Sequence, residues 1–344
     1  MDPRSLQRVY SFLKPIIFGF NIDAEYIHEK ALEKIKTAQE YTPPRYNSLS
    51  INLFGHNFVS PLLLAAGFDK NGLLVDNIQS FGFAGEVVGS ITFYPSNGEN
   101  KPRLFRLSKQ RALLNRMGLN NEGAERISKR LEGKKNYAIS IAKTNDPNIL
   151  GRIAINDYVR SYKLLKHLGI YTEINISCPN TEDGETFEDP ASLELLLDAL
   201  LSDGKGRPLL IKISPCLDQE TLEGIVEVSE DKVDGYVATN TIMYNHPKYG
   251  KVGLSGLPIK EDSLNSIKRL RRLTKKPIIG VGGIFTGWDA FDALRAGADL
   301  LEALTGFIYR GPTFAIKLTR ELDKVLQFKD ISHIAEIKNY NYKI

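Results

Sequence analysis

From Pro61 onward the chain alternates short apolar runs with stretches of helical periodicity. The runs cover 62–66, 85–90, 137–142, 172–176, 209–213, 235–239, 277–281 and 300–304. They are rich in Val, Ile, Leu and Ala and do not alternate polar with apolar, the pattern of parallel strands covered on both faces. Between them, 157–167, 192–201, 219–228, 263–273 and 288–296 carry an apolar stripe at helical spacing. Eight strand–helix units over roughly 250 residues predict an α/β fold, a closed (β/α)₈ TIM barrel. An open doubly wound sheet is the alternative, but it usually shows fewer repeats.

Upstream, 51–59 reads as a hairpin with its turn near Gly55, placed to plug the barrel floor. Before it, 6–20 mixes apolar residues with Arg8 and Lys14 and is interrupted by Pro15. Asp23 then caps a second amphipathic helix to about 39. Two short helices with basic flanks either lie on a membrane surface or pack against the body, and composition leaves both readings open. The expected organisation is a helical, membrane-associated subdomain at 1–46, the barrel at 47–330 and a polar tail at 331–344.

Composition changes this picture little. Of the 344 residues 42% are hydrophobic and 25% charged, as in a globular protein with a sizeable core. A net charge of +4 suits an anionic substrate or lipid surface and is too weak to argue for nucleic acid. The two cysteines, Cys178 and Cys216, suggest no disulfide framework. There is no secretory signal and no apolar run of roughly 18 residues to span a membrane. His28, His56, His167, His246 and His333 lack metal-ligand spacing, so no metal is expected.

The chemistry gathers where strands end. The run Asn175-Ile176-Ser177-Cys178-Pro179-Asn180 sets two amides and a thiol at the end of a strand, where barrel enzymes build their active sites. Taken alone, Cys178 is a buried thiol beside a turn; in that place it can act as a proton acceptor. Lys212 ends an apolar run, and an unpaired ammonium is costly to bury there. Glycines after the last two strands suit a phosphate, since backbone amides in such turns form an anion-binding concavity. A phosphate at one edge, a lysine near the middle and Asn and Thr around it suit flavin mononucleotide (FMN).

These residues together resemble the dihydroorotate dehydrogenase family, in its membrane-associated, quinone-reducing class 2. The resemblance covers roughly 1–330 and rests on AAGFDKNG (65–72), NGENKPRLFRL (97–107), NRMGLNN (115–121), PNT (179–181), ATNT (238–241), GLSG (253–256) and GVGGI (280–284). It implies Cys178 as the catalytic base. It implies dihydroorotate/orotate contacts from Lys70, Asn115, Arg116, Met117, Gly118, Leu119, Asn175, Asn180, Asn240 and Thr241. It implies FMN contacts from Ala66, Gly67, Ser90, Asn115, Asn175, Lys212, Thr239, Ser255, Gly256, Gly283 and Thr305. His28 and Arg106 would line a quinone tunnel beneath the N-terminal helices.

Three positions depart from the class. Cys178 stands where class 2 usually has Ser and the soluble class 1 has Cys. Ser140 stands at a flavin-contacting position usually held by Asn, and Leu304 at one usually held by Tyr. The resemblance implies FMN-dependent oxidation of (S)-dihydroorotate to orotate by a membrane quinone, in pyrimidine biosynthesis. A soluble-type enzyme using fumarate or an NAD-linked acceptor, and an idle flavin-binding paralogue, are the rivals. A monomer is expected at the cytoplasmic face of a bacterial inner membrane, with the mitochondrial inner membrane as the alternative.

Overall fold

The computed structural model describes residues 1–177 and 187–339. Helices α1 (Pro3–Gly19) and α2 (Ala24–Lys36) lead into a hairpin, β1 (Ile51–Leu53) and β2 (His56–Phe58). Then come β3 (Leu62–Leu64), β4 (Gly85–Ile91), β5 (Leu104–Leu107), β6 (Ala112–Asn115), α3 (Ala124–Leu131), β7 (Tyr137–Ile141), α4 (Gly151–Leu165) and β8 (Thr172–Asn175). The second half runs α5 (Pro190–Leu201), β9 (Leu209–Ile213), α6 (Gln219–Ser229), β10 (Gly235–Ala238), β11 (Ile242–His246) and β12 (Gly250–Gly256). It closes with α7 (Lys260–Leu273), β13 (Ile278–Val281), α8 (Gly287–Ala296), β14 (Leu300–Ala303), α9 (Thr305–Arg310) and α10 (Phe314–Phe328).

Eight parallel strands close into a barrel in the order β10-β13-β14-β3-β4-β7-β8-β9, as the apolar runs predict. Side chains alternate along a strand, so every second residue points into the lumen. One residue from each strand or its approach forms the lowest layer: Leu63, Val87, Ala138, Tyr171, Leu210, Val237, Ile279 and Leu300. The hairpin closes that end, with Phe58 packed into the layer and the Phe54 ring 5.5 Å from that of Tyr171. The floor is therefore dry, and chemistry is left to the opposite end.

Two expectations need correction, and one feature is new. Pro15 does not interrupt α1, which runs through it. A proline inside a helix costs about 3 kcal/mol, but α1 is tethered on both sides of it. Tyr10 Oη donates to the Ile308 carbonyl, Lys14 Nζ donates to the Tyr309 carbonyl at 2.7 Å, and the Phe18 ring meets that of Tyr309 edge-on at 5.2 Å. The connection from β3 to β4 contains only a 3₁₀ turn, Ile78–Phe81, in place of a full helix. A four-stranded antiparallel sheet, ordered β11-β12-β6-β5, was not expected; it is built from long loops after two barrel strands. Its strands are short, β5 and β6 spanning four residues each, and β11 and β12 carry polar residues and glycines that hide them among loop signals.

No helix among the described residues is long and apolar enough to cross a membrane. After α10, Ile331, Ile334 and Ile337 are buried against the main core.

Candidate active site

The barrel's C-terminal strand ends and the antiparallel sheet enclose one cavity. From the loop after β3 come Ala66, Gly67, Phe68 and Lys70. Lys70 Nζ donates to the Gly67 carbonyl at 2.8 Å. The group retains some surface inside the cavity but is crowded by protein atoms, and that burial pushes its pKa down to about 8.

A polar wall spans the strand ends. Asn175 Nδ2 donates to Ser90 Oγ at 3.1 Å, while its Oδ1 accepts from Asn240 Nδ2 at 3.1 Å. Asn240 Oδ1 in turn accepts from the Thr241 N–H at 2.8 Å, and Asn115 Nδ2 reaches the Gly253 carbonyl at 3.2 Å. These amides are oriented by the protein before a ligand arrives, yet Asn175 and Asn240 have hydrogen-bonding capacity left for one. Ser177 Oγ donates to the Lys212 carbonyl at 3.0 Å, and Asn240 Nδ2 donates to the Ser177 carbonyl at 3.2 Å. The chain is thus pinned at the residue before Cys178.

At one edge of the cavity Ser255 Oγ and Thr305 Oγ1 lie 2.9 Å apart, beside the backbone of Gly256, Gly283 and Gly306. Gly283 has φ +68°, and a Cβ there would fall 2.5 Å from the Lys260 Cβ, so this turn requires glycine. At another edge the lining is apolar: Leu104, Leu113, Phe285, Leu304 and Ile308. His28 adjoins it, its Nε2 donating to the Phe68 carbonyl at 2.8 Å. Burial, with the Lys70 charge adding, lowers the His28 pKa to about 3, so the ring is neutral near pH 7.

Most residues singled out from the sequence meet here. His28, Ala66, Gly67, Lys70, Ser90, Asn115, Met117, Gly118, Leu119, Asn175, Lys212, Thr239, Asn240, Thr241, Ser255, Gly256, Gly283, Leu304 and Thr305 all line the cavity. Three do not. Arg116 Nη2 turns to the Pro102 carbonyl at 3.2 Å. Ser140 is fully buried behind Ser90, their hydroxyls 3.0 Å apart. Arg106 Nη1 donates to the Ile22 carbonyl at 2.6 Å, and its guanidinium lies 5.2 Å from the Phe18 ring centroid. Cys178 and Asn180 lie outside the described residues.

Sequence reasoning missed two carboxylates. Glu173 and Glu302 are buried in the lumen against Lys212, whose Nζ lies 3.3 Å from Glu173 Oε1 and 3.5 Å from Glu302 Oε2. The criterion that singled out Lys212, a charge inside an apolar run, applies equally to both. A third, Glu25 of α2, forms a buried pair with Arg103 at 2.7 Å and so locks the helical extension to the barrel mouth.

Fold and cavity together define a barrel enzyme that grips a flat polar ligand over a buried lysine. The chain belongs to the dihydroorotate dehydrogenase family, a flavin-dependent one, whose sequence pattern matches residues 48–326. It is 34% identical over 367 residues to the dihydroorotate dehydrogenase (quinone) of Trichodesmium erythraeum, covering 95% of this chain and 97% of the relative. The protein of the same name from Natronomonas pharaonis is 35% identical over 338 residues, covering 93% and 95%. The crystal structure of Eimeria tenella DHODH in complex with ferulenol superposes with a TM-score of 0.86 at 29% identity, covering 94% of this chain and 97% of that one.

Proposed function

We propose that this protein oxidises (S)-dihydroorotate to orotate with FMN and passes the electrons to a membrane quinone, a step of pyrimidine biosynthesis. The observation that carries the reading is the convergence of Lys70, Asn115, Asn175, Lys212 and Asn240 on one cavity that has a phosphate-suited edge and an apolar edge.

The residues fit FMN. The Ser255 and Thr305 hydroxyls and the glycine turns suit its phosphate, while Ser90, Asn175 and Thr239 suit the polar edge of its ring. Lys212 is a buried ammonium lining the same cavity, and burial opposes its charge while Glu173 and Glu302 more than restore it. When bound, the flavin supplies the acceptor for the hydride leaving C6 of the substrate. Cys178 is the base in this reading and would take the proton from C5, a thiol being far easier to ionise near neutral pH than a serine hydroxyl. Asn115, Asn175, Asn180 and Asn240 can satisfy the urea-like edge of the pyrimidine, and Lys70 can pair with its carboxylate. Lys212 would stabilise negative charge on the ring.

The apolar edge under α1 suits a quinone tail. Val9, Phe12, Leu13 and Ile16 of α1, and Phe20 just after it, are exposed and apolar, which supports peripheral attachment to a membrane. The cytoplasmic face of a bacterial inner membrane is the location that goes with this reading.

The test is direct. Purified protein should be yellow, release one FMN on denaturation, bleach with dihydroorotate without air and regain colour with a quinone. A colourless protein that also failed to bind added FMN would sink the reading.

Lys70 adds a pH signature. Its ammonium is intact below about pH 8 and lost above it, and only the charged form pairs with an orotate carboxylate. Orotate affinity should therefore hold steady below about pH 8, then fall up to about tenfold per pH unit, since each pH unit there costs a tenfold loss of the charged form. Lys70→Ala should bind orotate weakly and with no break at that pH. Flavin-perturbation titrations across pH measure both, and an unbroken profile in the parent would remove Lys70 from the carboxylate.

A further inference from the structure

The lumen holds a charged layer directly above its dry floor. Tyr171, Leu210 and Leu300 belong to the floor; two residues on along the same strands stand Glu173, Lys212 and Glu302. The barrel order sets β14 across the lumen from β8 and β9, so Lys212 bridges the interior between the two glutamates. Tyr171 Oη donates to Glu302 Oε1 at 3.2 Å, and Glu173 Oε2 has no hydrogen-bond partner among the described residues. Two carboxylates share one ammonium, so the fully ionised cluster carries an uncompensated negative charge. Burying such an ion costs several kcal/mol, and the apolar floor offers nothing to offset it.

A proton offsets it instead. Burial, then the neighbouring Glu173 charge, outweigh Lys212 and push the Glu302 carboxyl up to about 7. The Tyr171 phenol is driven far above its usual range by the same burial and both carboxylates, so it remains a donor. The groups facing Glu302 are thus Lys212, Glu173 and Tyr171. Among the described residues, the other ionisable ones lining the cavity are Lys70 and His28, and the hydrogen bonds of both go elsewhere.

We infer that Glu302 is a positioning residue that couples reduction of the flavin to uptake of a proton by the protein, acting through Lys212. The inference rests on the flavin reading given above. Lys212 has three N–H donors, two directed at carboxylates and one left for the cavity that it lines. Negative charge arriving at that open side draws the ammonium away from Glu302 and repels its carboxylate. Both effects raise its affinity for a proton.

The balance closes. The substrate's C6–H bond breaks and two electrons with that hydrogen enter the flavin, while the C5 proton goes to Cys178. The proton taken by Glu302 comes from water. When the quinone removes the electrons, the transferred hydrogen and the Glu302 proton equal the two protons that a quinol requires.

The experiment is a dye-equilibrated redox titration of the flavin-loaded, full-length protein from pH 6 to 9. Each proton taken up per two electrons changes the equilibrium tenfold per pH unit, about 30 mV. The parent should fall by about 30 mV per pH unit below pH 7 and by about 60 mV above it. Glu302→Gln should keep the shallower slope throughout, meeting the parent at pH 6 and lying above it at pH 9. A Glu302 that merely packs would shift the potential equally at every pH, and parallel lines would overturn the inference. Should that variant not fold, electrochemical reduction of the parent in unbuffered solution decides. Two protons consumed per flavin at pH 8 and one at pH 6 support coupling; the same number at both overturns it. A protein that holds no flavin, or that dihydroorotate does not bleach, would overturn the function itself. A bleachable protein with unchanged slope overturns this inference alone.

Discussion

Cys178→Ala should reduce its flavin with dihydroorotate about 10²- to 10⁴-fold more slowly than the parent, the range a positioned acid–base group contributes. FMN and orotate binding should survive almost intact, because Asn115, Asn175 and Asn240 are held by contacts that do not involve the thiol. Cys178→Ser should fall between the two. Its half-maximal rate should move to higher pH, since a hydroxyl gives up its proton less readily than a thiol. Rapid mixing without air, across pH, reads all three proteins. If the alanine variant bleached as fast as the parent, the base would lie elsewhere.

The second large effect concerns α1. Its Phe18 packs with Leu113, Phe285 and Tyr309, next to Leu304 and Ile308, and so roofs the apolar edge of the cavity. A chain lacking residues 1–20 should still be bleached by dihydroorotate at the parent rate. Its turnover with a hydrophobic quinone should fall by about 10²-fold, the loss expected when a reactant is no longer held in place. The deletion must stop before α2, because Glu25 neutralises the buried Arg103. Stranding that charge costs about 3–5 kcal/mol and would confuse the readout. Normal quinone turnover in the shortened chain would detach α1 from the quinone site.

The barrel was legible because eight doubly buried strands need eight apolar runs, and chain order dictates their neighbours. The end of 209–213 coincides with β9, and the other runs match their strands to within two residues. The antiparallel sheet was not legible: β11 and β12 pair with each other and with β6 from an earlier loop, and no local periodicity announces such a partnership. Pro15 failed as a helix breaker for a related reason, since the contacts that offset it come from residues 308 and 309.

The site divides in the same way. By itself the sequence determined which residues stand at or just beyond the barrel strand ends, Lys70, Asn175, Lys212 and Asn240 among them, because strand ends follow from the apolar runs. Lone residues could be named in this way, but not their partners. That Lys212 faces two carboxylates, that Ser140 sits behind Ser90 and that Arg106 turns from the cavity to Ile22 were decided by the closed barrel and the docked helices. Alternation along a strand tells which side chains face inward. Only closure of the sheet brings Glu302 across the lumen to Lys212, and with it the electrostatics of the site.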